Sequence, residues 1–88
     1  FKSFDEAIER ANNNDLGLCS YICTNSMDQA HRASELMETG TVAVNTPVLA
    51  IAEAPFGGIK QTGYGREGGS MAIKDYLNIK YTHLGLKG

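Results

Sequence analysis

The apolar residues at the start of the chain recur at helical spacing. They lie three and four positions apart and form one face: Phe4, Ala7, Ile8 and Ala11. Ser3 precedes this face and Glu6 follows three residues later, a capping box in which each side chain bonds to the other residue's backbone amide. The polar run at 12–15 and Gly17 end the pattern. We therefore predict an amphipathic helix here.

A similar pattern returns in the middle of the chain. Residues 26–29 (SMDQ) repeat the cap, and a second apolar face follows: Met27, Ala30, Ala33, Leu36 and Met37. Gly40 stands where a C-terminal cap is expected. The stretches on either side, 18–24 (LCSYICT) and 41–45 (TVAVN), favour strands, and the second is apolar at consecutive positions, as in a strand buried on both faces. Strand, helix and strand with short links predict a right-handed parallel crossover and an α/β fold.

The C-terminal half is dominated by a long connector. Residues 45–69 hold six of the ten glycines and both prolines, and a loop of this length without its own structure is usually functional. We predict a short helix at 69–77, then a strand at 77–86 in which apolar and polar residues alternate. Two parallel strands with bare edges make an incomplete sheet, and Phe1 is not an initiator methionine, so we expect a piece of a larger protein.

Composition and charge exclude several classes of function. The net charge is −2 with no basic stripe, so we expect no nucleic-acid partner. The longest apolar run, 47–52, is far shorter than the roughly 20 residues of a membrane span, and the first ten residues do not form a secretory signal. Cys19 and Cys23 lack a second Cys/His pair for a metal site. We interpret them as small buried hydrophobes in a reducing, cytoplasmic location.

One motif inside the connector suggests a different function. Residues 63–68 (GYGREG) match G-x-G-x-x-G, so the alternative interpretation is an autonomous module that binds a nucleotide or another anion through this loop and the helix after it. The dinucleotide motif needs a strand directly before its first glycine and an acid about 20 residues later. Here residues 57–62 are no buried strand, and Asp75 comes only twelve positions after Gly63. The signal is weak.

A longer stretch resembles a known family. Residues 55–67 (PFGGIKQTGYGRE) resemble the P-F-G-G-x-K-x-S-G-x-G-R-E segment near the C-terminus of NAD(P)-dependent aldehyde dehydrogenases, with Thr62 in place of serine. Residues 4–17 resemble the family's E-A-I-x-x-A-N helix, and 40–45 its G-x-V-x-V-N strand. The 66–69 ending (REGG) is most similar to the succinate-semialdehyde dehydrogenase branch.

The resemblance implies a fold, an activity and partners. Residues 1–76 would be the C-terminal part of the catalytic domain, which packs on the rest of its subunit, and 77–88 the terminal strand of the oligomerisation element, through which a homo-oligomer forms. The parent enzyme would oxidise an aldehyde, such as succinate semialdehyde, to a carboxylic acid with NAD or NADP through a cysteine thioester. The nucleophilic cysteine and the cofactor site would lie upstream, so no catalytic residue is expected here and this chain alone would be inactive and bind no cofactor.

The resemblance also implies which residues meet the substrate. Phe56 matches the aromatic residue that borders the aldehyde, and Val48, Leu49 and Ala50 match positions that line the substrate pocket. Enzymes acting on succinate semialdehyde often carry a serine at the position of Ala50. An alanine cannot donate that hydrogen bond, so the aldehyde differs or upstream residues bind its carboxylate.

Four polar residues of the loop have structural interpretations. Arg66 and Glu67 are expected to anchor the loop by satisfying its carbonyls and amides. Lys60 is expected to be a structural or surface residue. Asn45 ends a predicted strand, and Asx-type hydrogen bonds from its side chain would fix the start of the loop.

Overall fold

The computed structural model describes residues 1–87. Its elements in chain order are α1 (Phe4–Asn12), β1 (Leu16–Gly17), β2 (Cys19–Ile22), α2 (Met27–Leu36), β3 (Thr41–Val44), β4 (Ile59–Lys60) and a 3₁₀ helix (Ala72–Tyr76). Both predicted long helices are present. The predicted helix at 69–77 is reduced to this five-residue 3₁₀ helix.

The two α-helices begin at the caps that the sequence predicts. The Ser3 hydroxyl accepts from the Glu6 amide and the Ser26 hydroxyl from the Gln29 amide, each at 3.2 Å. The second hydrogen bond of the capping box at α1 differs from the prediction. The Glu6 carboxylate accepts from the amide of Lys2 at 2.9 Å instead of the amide of Ser3. Each helix thus starts with one of its unpaired amides satisfied by a side chain.

Strands β2 and β3 pair in parallel, as predicted. Their register runs from Cys19 opposite Thr41 to Ile22 opposite Val44, with α2 as the connection. Burial of β3 is less complete than predicted: Ala43 is buried and its strand neighbours are half-buried. A second, two-stranded antiparallel sheet joins β1 to β4, and no sequence pattern predicts it.

The predicted C-terminal cap of α2 is wrong. The helix ends at Leu36. The next residue, Met37, has an extended backbone (φ −67°, ψ 126°), and its amide still donates to the Ala33 carbonyl. Asn12, at the end of α1, bonds to this turn with its side chain: its Nδ2 donates to the Leu36 carbonyl at 2.8 Å and its Oδ1 accepts from the Glu38 amide at 2.9 Å. A polar contact between two helices therefore replaces the glycine cap.

The core is small and the exposed apolar surface is large. The buried apolar residues of the described chain are Ala30, Ala33 and Ala43. Large apolar side chains remain exposed along the whole length, from Phe1 (80%) to Leu86 (87%). Apolar surface of this extent is typical of a face that packs against further protein.

The tail, defined as residues 77–87, does not form the predicted terminal strand within the single chain. It has no regular secondary structure, and its apolar side chains are exposed, Ile79 completely. A strand needs a neighbour for its backbone groups, and the described chain offers none to the tail. Gly88, the last residue of the predicted 77–88 element, lies outside the described residues. Across residues 1–87 no helix is both long and apolar enough to cross a membrane.

Candidate functional site

The glycine-rich connector contains a closed lobe, defined here as residues 56–67. Phe56 and Glu67 exchange two backbone hydrogen bonds of 2.7 Å, which join the two ends of the lobe. Gly63 and Gly65 have φ of 103° and 104°, a region that side chains with a Cβ rarely adopt. The glycines therefore permit the turns that return the chain to its starting point.

Arg66 holds the lobe from inside. Its Nη1 donates to the carbonyls of Gly58 at 2.9 Å and Gly65 at 2.8 Å. Its backbone amide donates to Oδ2 of Asp75 at 2.8 Å, which ties the lobe to the 3₁₀ helix. The predicted anchoring role of Arg66 is confirmed, whereas Glu67 contributes through its backbone.

The lobe docks on the β1 segment, defined here as residues 15–17. The Gly17 amide donates to the Thr62 hydroxyl at 2.8 Å, and the Gln61 amide donates to the Asp15 carbonyl at 2.9 Å. Strand β4 pairs with β1, which places Lys60 opposite Leu16. Threonine supplies the same hydroxyl as the serine of the family motif, so the one departure from that motif keeps this bond.

Lys60 is a structural residue, and its side chain connects several segments of the chain. Its Nζ lies 3.2 Å from the Asn12 carbonyl, 3.3 Å from the Asn14 carbonyl and 3.1 Å from Glu38 Oε2. The side chain is only 26% exposed. These partners lie 22 to 48 positions away in sequence, so no local pattern could have identified them.

Two glycines meet where the lobe touches the start of β3. A Cβ built on Gly40 would lie 1.8 Å from the Gly57 carbonyl oxygen, and one on Gly57 would lie 2.2 Å from the Gly65 oxygen. Neither position has room for a side chain. Gly40 is therefore required for this close approach, and its amide donates to the Gly17 carbonyl at 3.0 Å.

An open cavity of about 320 Å³ lies along the lobe. Its wall includes Leu18, Phe56, Tyr64, Arg66, Asp75 and Tyr76. Among the four residues predicted to line a substrate pocket, Phe56 borders this cavity and is half-buried. The structure does not bring the other three to it. Val48 is 64% exposed, Ala50 is exposed and Leu49 is half-buried on the segment before the lobe.

The Asn45 side chain is used differently from the prediction. Its Oδ1 accepts from the Thr24 amide at 3.0 Å and its Nδ2 donates to the Thr24 carbonyl at 2.9 Å. It therefore bonds across the parallel sheet instead of fixing the loop by local Asx bonds. The backbone of Asn45 turns out of the sheet at φ 57°.

The geometry of the lobe does not favour the nucleotide-binding alternative. The helix after it is five residues long and begins without a side-chain cap. The Asp75 carboxylate accepts a hydrogen bond from the Arg66 amide, so this amide is not free for a phosphate. The same carboxylate lies against Gly65, where its Oδ2 would be 3.2 Å from a Cβ. A negative group at this place repels a phosphate. Within residues 1–87, no three His, Cys, Asp or Glu side chains form a cluster suited to a metal ion.

A second cavity, an open groove of about 590 Å³, lies between α1, β2 and α2. Cys23 lines it and is exposed, so its predicted burial is wrong, while Cys19 is half-buried. Partial desolvation raises the pKa of the Tyr21 phenol, and the nearby Cys19 thiol, 4.0 Å from the phenol oxygen, adds to this. Neither cysteine borders the lobe cavity.

Known proteins share both the sequence and the fold. The chain is 49% identical over 85 residues to a 3-sulfolactaldehyde dehydrogenase of Pseudomonas putida, which covers 97% of this chain and 18% of that protein. It is 46% identical over 85 residues to a mitochondrial succinate-semialdehyde dehydrogenase of Arabidopsis thaliana, covering 97% and 16%. The chain thus spans less than a fifth of the length of these curated relatives.

Solved structures agree with the sequence comparisons. An NAD⁺ complex of an aldehyde dehydrogenase from Bacillus cereus superposes with a TM-score of 0.92 at 41% identity, covering 99% of this chain and 18% of that one. A succinate-semialdehyde dehydrogenase from Burkholderia pseudomallei gives 0.89 at 40% identity, covering 93% and 17%. The sequence profile of the aldehyde dehydrogenase family matches residues 1–82. Because this match covers nearly its whole length, the chain belongs to the aldehyde dehydrogenase family.

Proposed function

We propose that the complete protein oxidises an aldehyde to a carboxylic acid, with NAD or NADP as the hydride acceptor. The observation that carries the proposal is the superposition of 99% of this chain, glycine lobe included, on an aldehyde dehydrogenase solved with NAD⁺. A cysteine outside this chain forms the thioester that water then hydrolyses. Cys19 and Cys23 are not that nucleophile, since neither borders the lobe cavity.

The substrate that we propose is a small aldehyde with an anionic group at its far end. The relatives include enzymes named for 3-sulfolactaldehyde, succinate semialdehyde and 4-(hydroxymethyl)benzenesulfonate, and each of these compounds carries a sulfonate or a carboxylate. Ala50 cannot donate a hydrogen bond to this group. Residues outside the chain therefore bind the anion.

This chain contributes one wall of the substrate site in the proposal. Phe56 borders the reacting aldehyde, and Val48, Leu49 and Ala50 continue the wall. The side chains of Val48 and Ala50 are exposed in the single chain, which leaves them available to a pocket completed by the rest of the subunit. The exposed apolar tail pairs with a second copy.

The activity is tested in the complete protein by following formation of reduced nicotinamide with NAD and with NADP. The substrates are 3-sulfolactaldehyde, succinate semialdehyde and butanal, a neutral aldehyde of similar length. We expect kcat/KM to be at least about tenfold higher for one of the anionic aldehydes than for butanal. Equal rates with all three contradict the substrate proposal, and no oxidation of any aldehyde contradicts the activity.

The role of the wall is tested with two substitutions of the same kind. Phe56→Leu is expected to raise KM for the aldehyde, because contact area is lost at the reacting end. Phe4→Leu, which also replaces a half-buried aromatic residue but lies on α1, is the matched control and should leave KM unchanged. Ala50→Ser is expected to raise kcat/KM for succinate semialdehyde by about tenfold, as one hydrogen bond to a charged group allows. An unchanged value removes Ala50 from the wall.

A further inference from the structure

The Lys60 ammonium joins three parts of the chain that local sequence patterns do not connect. It bonds to the end of α1 through the Asn12 carbonyl, to the turn after α1 through the Asn14 carbonyl and to the link between α2 and β3 through Glu38. Lys60 itself belongs to the lobe. We propose that Lys60 is a positioning residue that sets where Phe56 stands relative to the substrate. The kinetic part of this inference rests on the proposed function, and the docking part does not.

The first contact uses the end of a helix. The last carbonyls of α1 carry the negative end of the helix dipole, which favours a cation. The Asn12 carbonyl accepts from the Asn14 amide at 2.9 Å, and a carbonyl oxygen can accept a second hydrogen bond, here from Lys60 Nζ. Arg10 is the basic residue of the last turn, but its Nη1 faces Glu6 at 3.6 Å. Lys60 thus supplies to the helix end, from 48 residues away, the cation that Arg10 does not supply.

The second contact completes a junction between the two helices. Asn12 already joins α1 to the turn after α2 through Leu36 and Glu38. The Lys60 Nζ then bonds to the Glu38 carboxylate at 3.1 Å and to the carbonyl of Asn12. The same two residues, Asn12 and Glu38, therefore hold both the helix junction and the lobe.

The backbone of Lys60 supports a specific use of its side chain. Its φ of 57° lies in the left-handed region, where glycine is the default residue. The turn directs the Lys60 carbonyl to the Gly63 amide at 3.1 Å. A lysine in this conformation keeps a strain that glycine avoids, and its ammonium contacts offset that strain.

The position of Lys60 reaches Phe56 through a closed frame. Arg66 fixes Gly58 from inside the lobe, and the Phe56–Glu67 backbone pair joins the two ends of the lobe. A lobe closed in this way moves as a unit on its docking surface. We therefore expect loss of the Lys60 contacts to shift Phe56, which lies four positions earlier at the start of the same lobe.

The test compares Lys60→Met, Lys60→Gly and Lys60→Arg in the complete protein, with Lys74→Met as the matched control on the exposed 3₁₀ helix. For Lys60→Met we expect KM for the aldehyde to rise about tenfold while KM for the nicotinamide cofactor stays within about twofold. Lys60→Gly removes the strain together with the ammonium, so the same rise in KM assigns the effect to the ammonium. Lys60→Arg should recover part of the loss.

Native-state amide exchange at Gln61 and Gly17 supplies a readout that needs no activity. Both amides donate between the lobe and the β1 segment, and their exchange should accelerate about tenfold in Lys60→Met and Lys60→Gly but not in Lys74→Met. Unchanged exchange overturns the docking role even if the enzyme is active. Faster exchange in a protein that oxidises no aldehyde supports docking and contradicts the proposed function alone. Equal rises in both KM values overturn the positioning role.

Discussion

The lobe and the tail both lack long regular elements, yet they are held very differently. In the lobe, backbone pairing joins Phe56 to Glu67, and the Arg66 guanidinium bonds to two carbonyls inside. In the tail, the contacts are local, such as that between the Tyr81 hydroxyl and His83 Nδ1 at 3.4 Å. The tail leaves Ile79 fully exposed.

The difference follows from what each segment can satisfy by itself. Glycines and short polar side chains let the lobe turn on itself and pair its own backbone groups. The alternating apolar side chains of the tail cannot bury one another along one extended chain. The lobe is therefore held by bonds among its own residues, whereas the tail can bury its apolar side chains only against a neighbour.

The largest expected effect comes from filling the space where the lobe meets β3. Gly40→Ala places a Cβ 1.8 Å from the Gly57 oxygen, a clash with backbone that no side-chain movement relieves. We expect a loss of about 3 kcal/mol in the free energy of local unfolding, measured by native-state amide exchange in the complete protein. Gly85→Ala in the tail is the control, since a Cβ built on Gly85 meets no atom of the described residues within 4 Å apart from its own chain neighbours. Equal effects would remove the distinction between lobe and tail.

A smaller loss is expected when the internal anchor of the lobe is removed. Arg66→Met deletes the bonds to the Gly58 and Gly65 carbonyls and should cost about 2 kcal/mol, or about 30-fold in the local opening constant at the Phe56 and Glu67 amides. Arg32→Met is the control. Arg32 pairs with Asp5 at 3.7 Å on the surface, so its loss should cost less than about 1 kcal/mol. No acceleration in Arg66→Met would show that the glycine turns alone close the lobe.

The tail is tested through association. Ile79→Lys in the complete protein should weaken association between subunits by about tenfold, or about 1.4 kcal/mol, because it would place a charge in the strand pairing proposed for the tail. Sedimentation over a range of concentrations measures this. Lys80→Gln changes the neighbouring residue, whose side chain points to the opposite face of a strand, and should leave association unchanged. If Ile79→Lys has no effect, the tail is not an assembly surface.

The smallest effect is expected at a single docking bond. Thr62→Val keeps the shape of the side chain but leaves the Gly17 amide without its acceptor, which should cost about 1 kcal/mol. Thr62→Ser keeps the hydroxyl and should stay within about 0.5 kcal/mol. Exchange of the Gly17 amide distinguishes the two variants. Similar behaviour of both would indicate that β1–β4 pairing suffices without this bond.

Local patterns in the sequence predicted the elements that depend on near neighbours. Both helix starts and the parallel pairing of β2 with β3 follow from caps and periodicity, and they are present. The pairing of β1 with β4 was missed because each strand has two residues, too few to show a period. The position of Gly40 after an apolar face predicts a helix cap, whereas its close approach to the Gly57 carbonyl, distant in sequence, leaves no local signal.

The candidate site was predicted in part, for the same reason. The motif predicts Arg66 as an anchor. For Lys60 it predicts only a structural or surface residue and no partners, since these partners lie 22 to 48 residues away. Val48, Leu49 and Ala50 were predicted to share a pocket with Phe56, and the structure does not bring them to the cavity that Phe56 borders. Their role remains a prediction.

The Asn45 side chain imitates a peptide group. It offers Thr24 one acceptor and one donor, as another strand residue would, while its own backbone turns away at φ 57°. The hydrogen bonding between β2 and β3 thereby extends one step beyond the last strand pair. The direction in which the chain leaves the sheet is set at Asn45 alone. We therefore expect that changes in length or sequence between 46 and 55 do not alter the register of β2 and β3, because Asn45 holds the end of the sheet. The sheet and the segment that follows it are in this way separated at one residue.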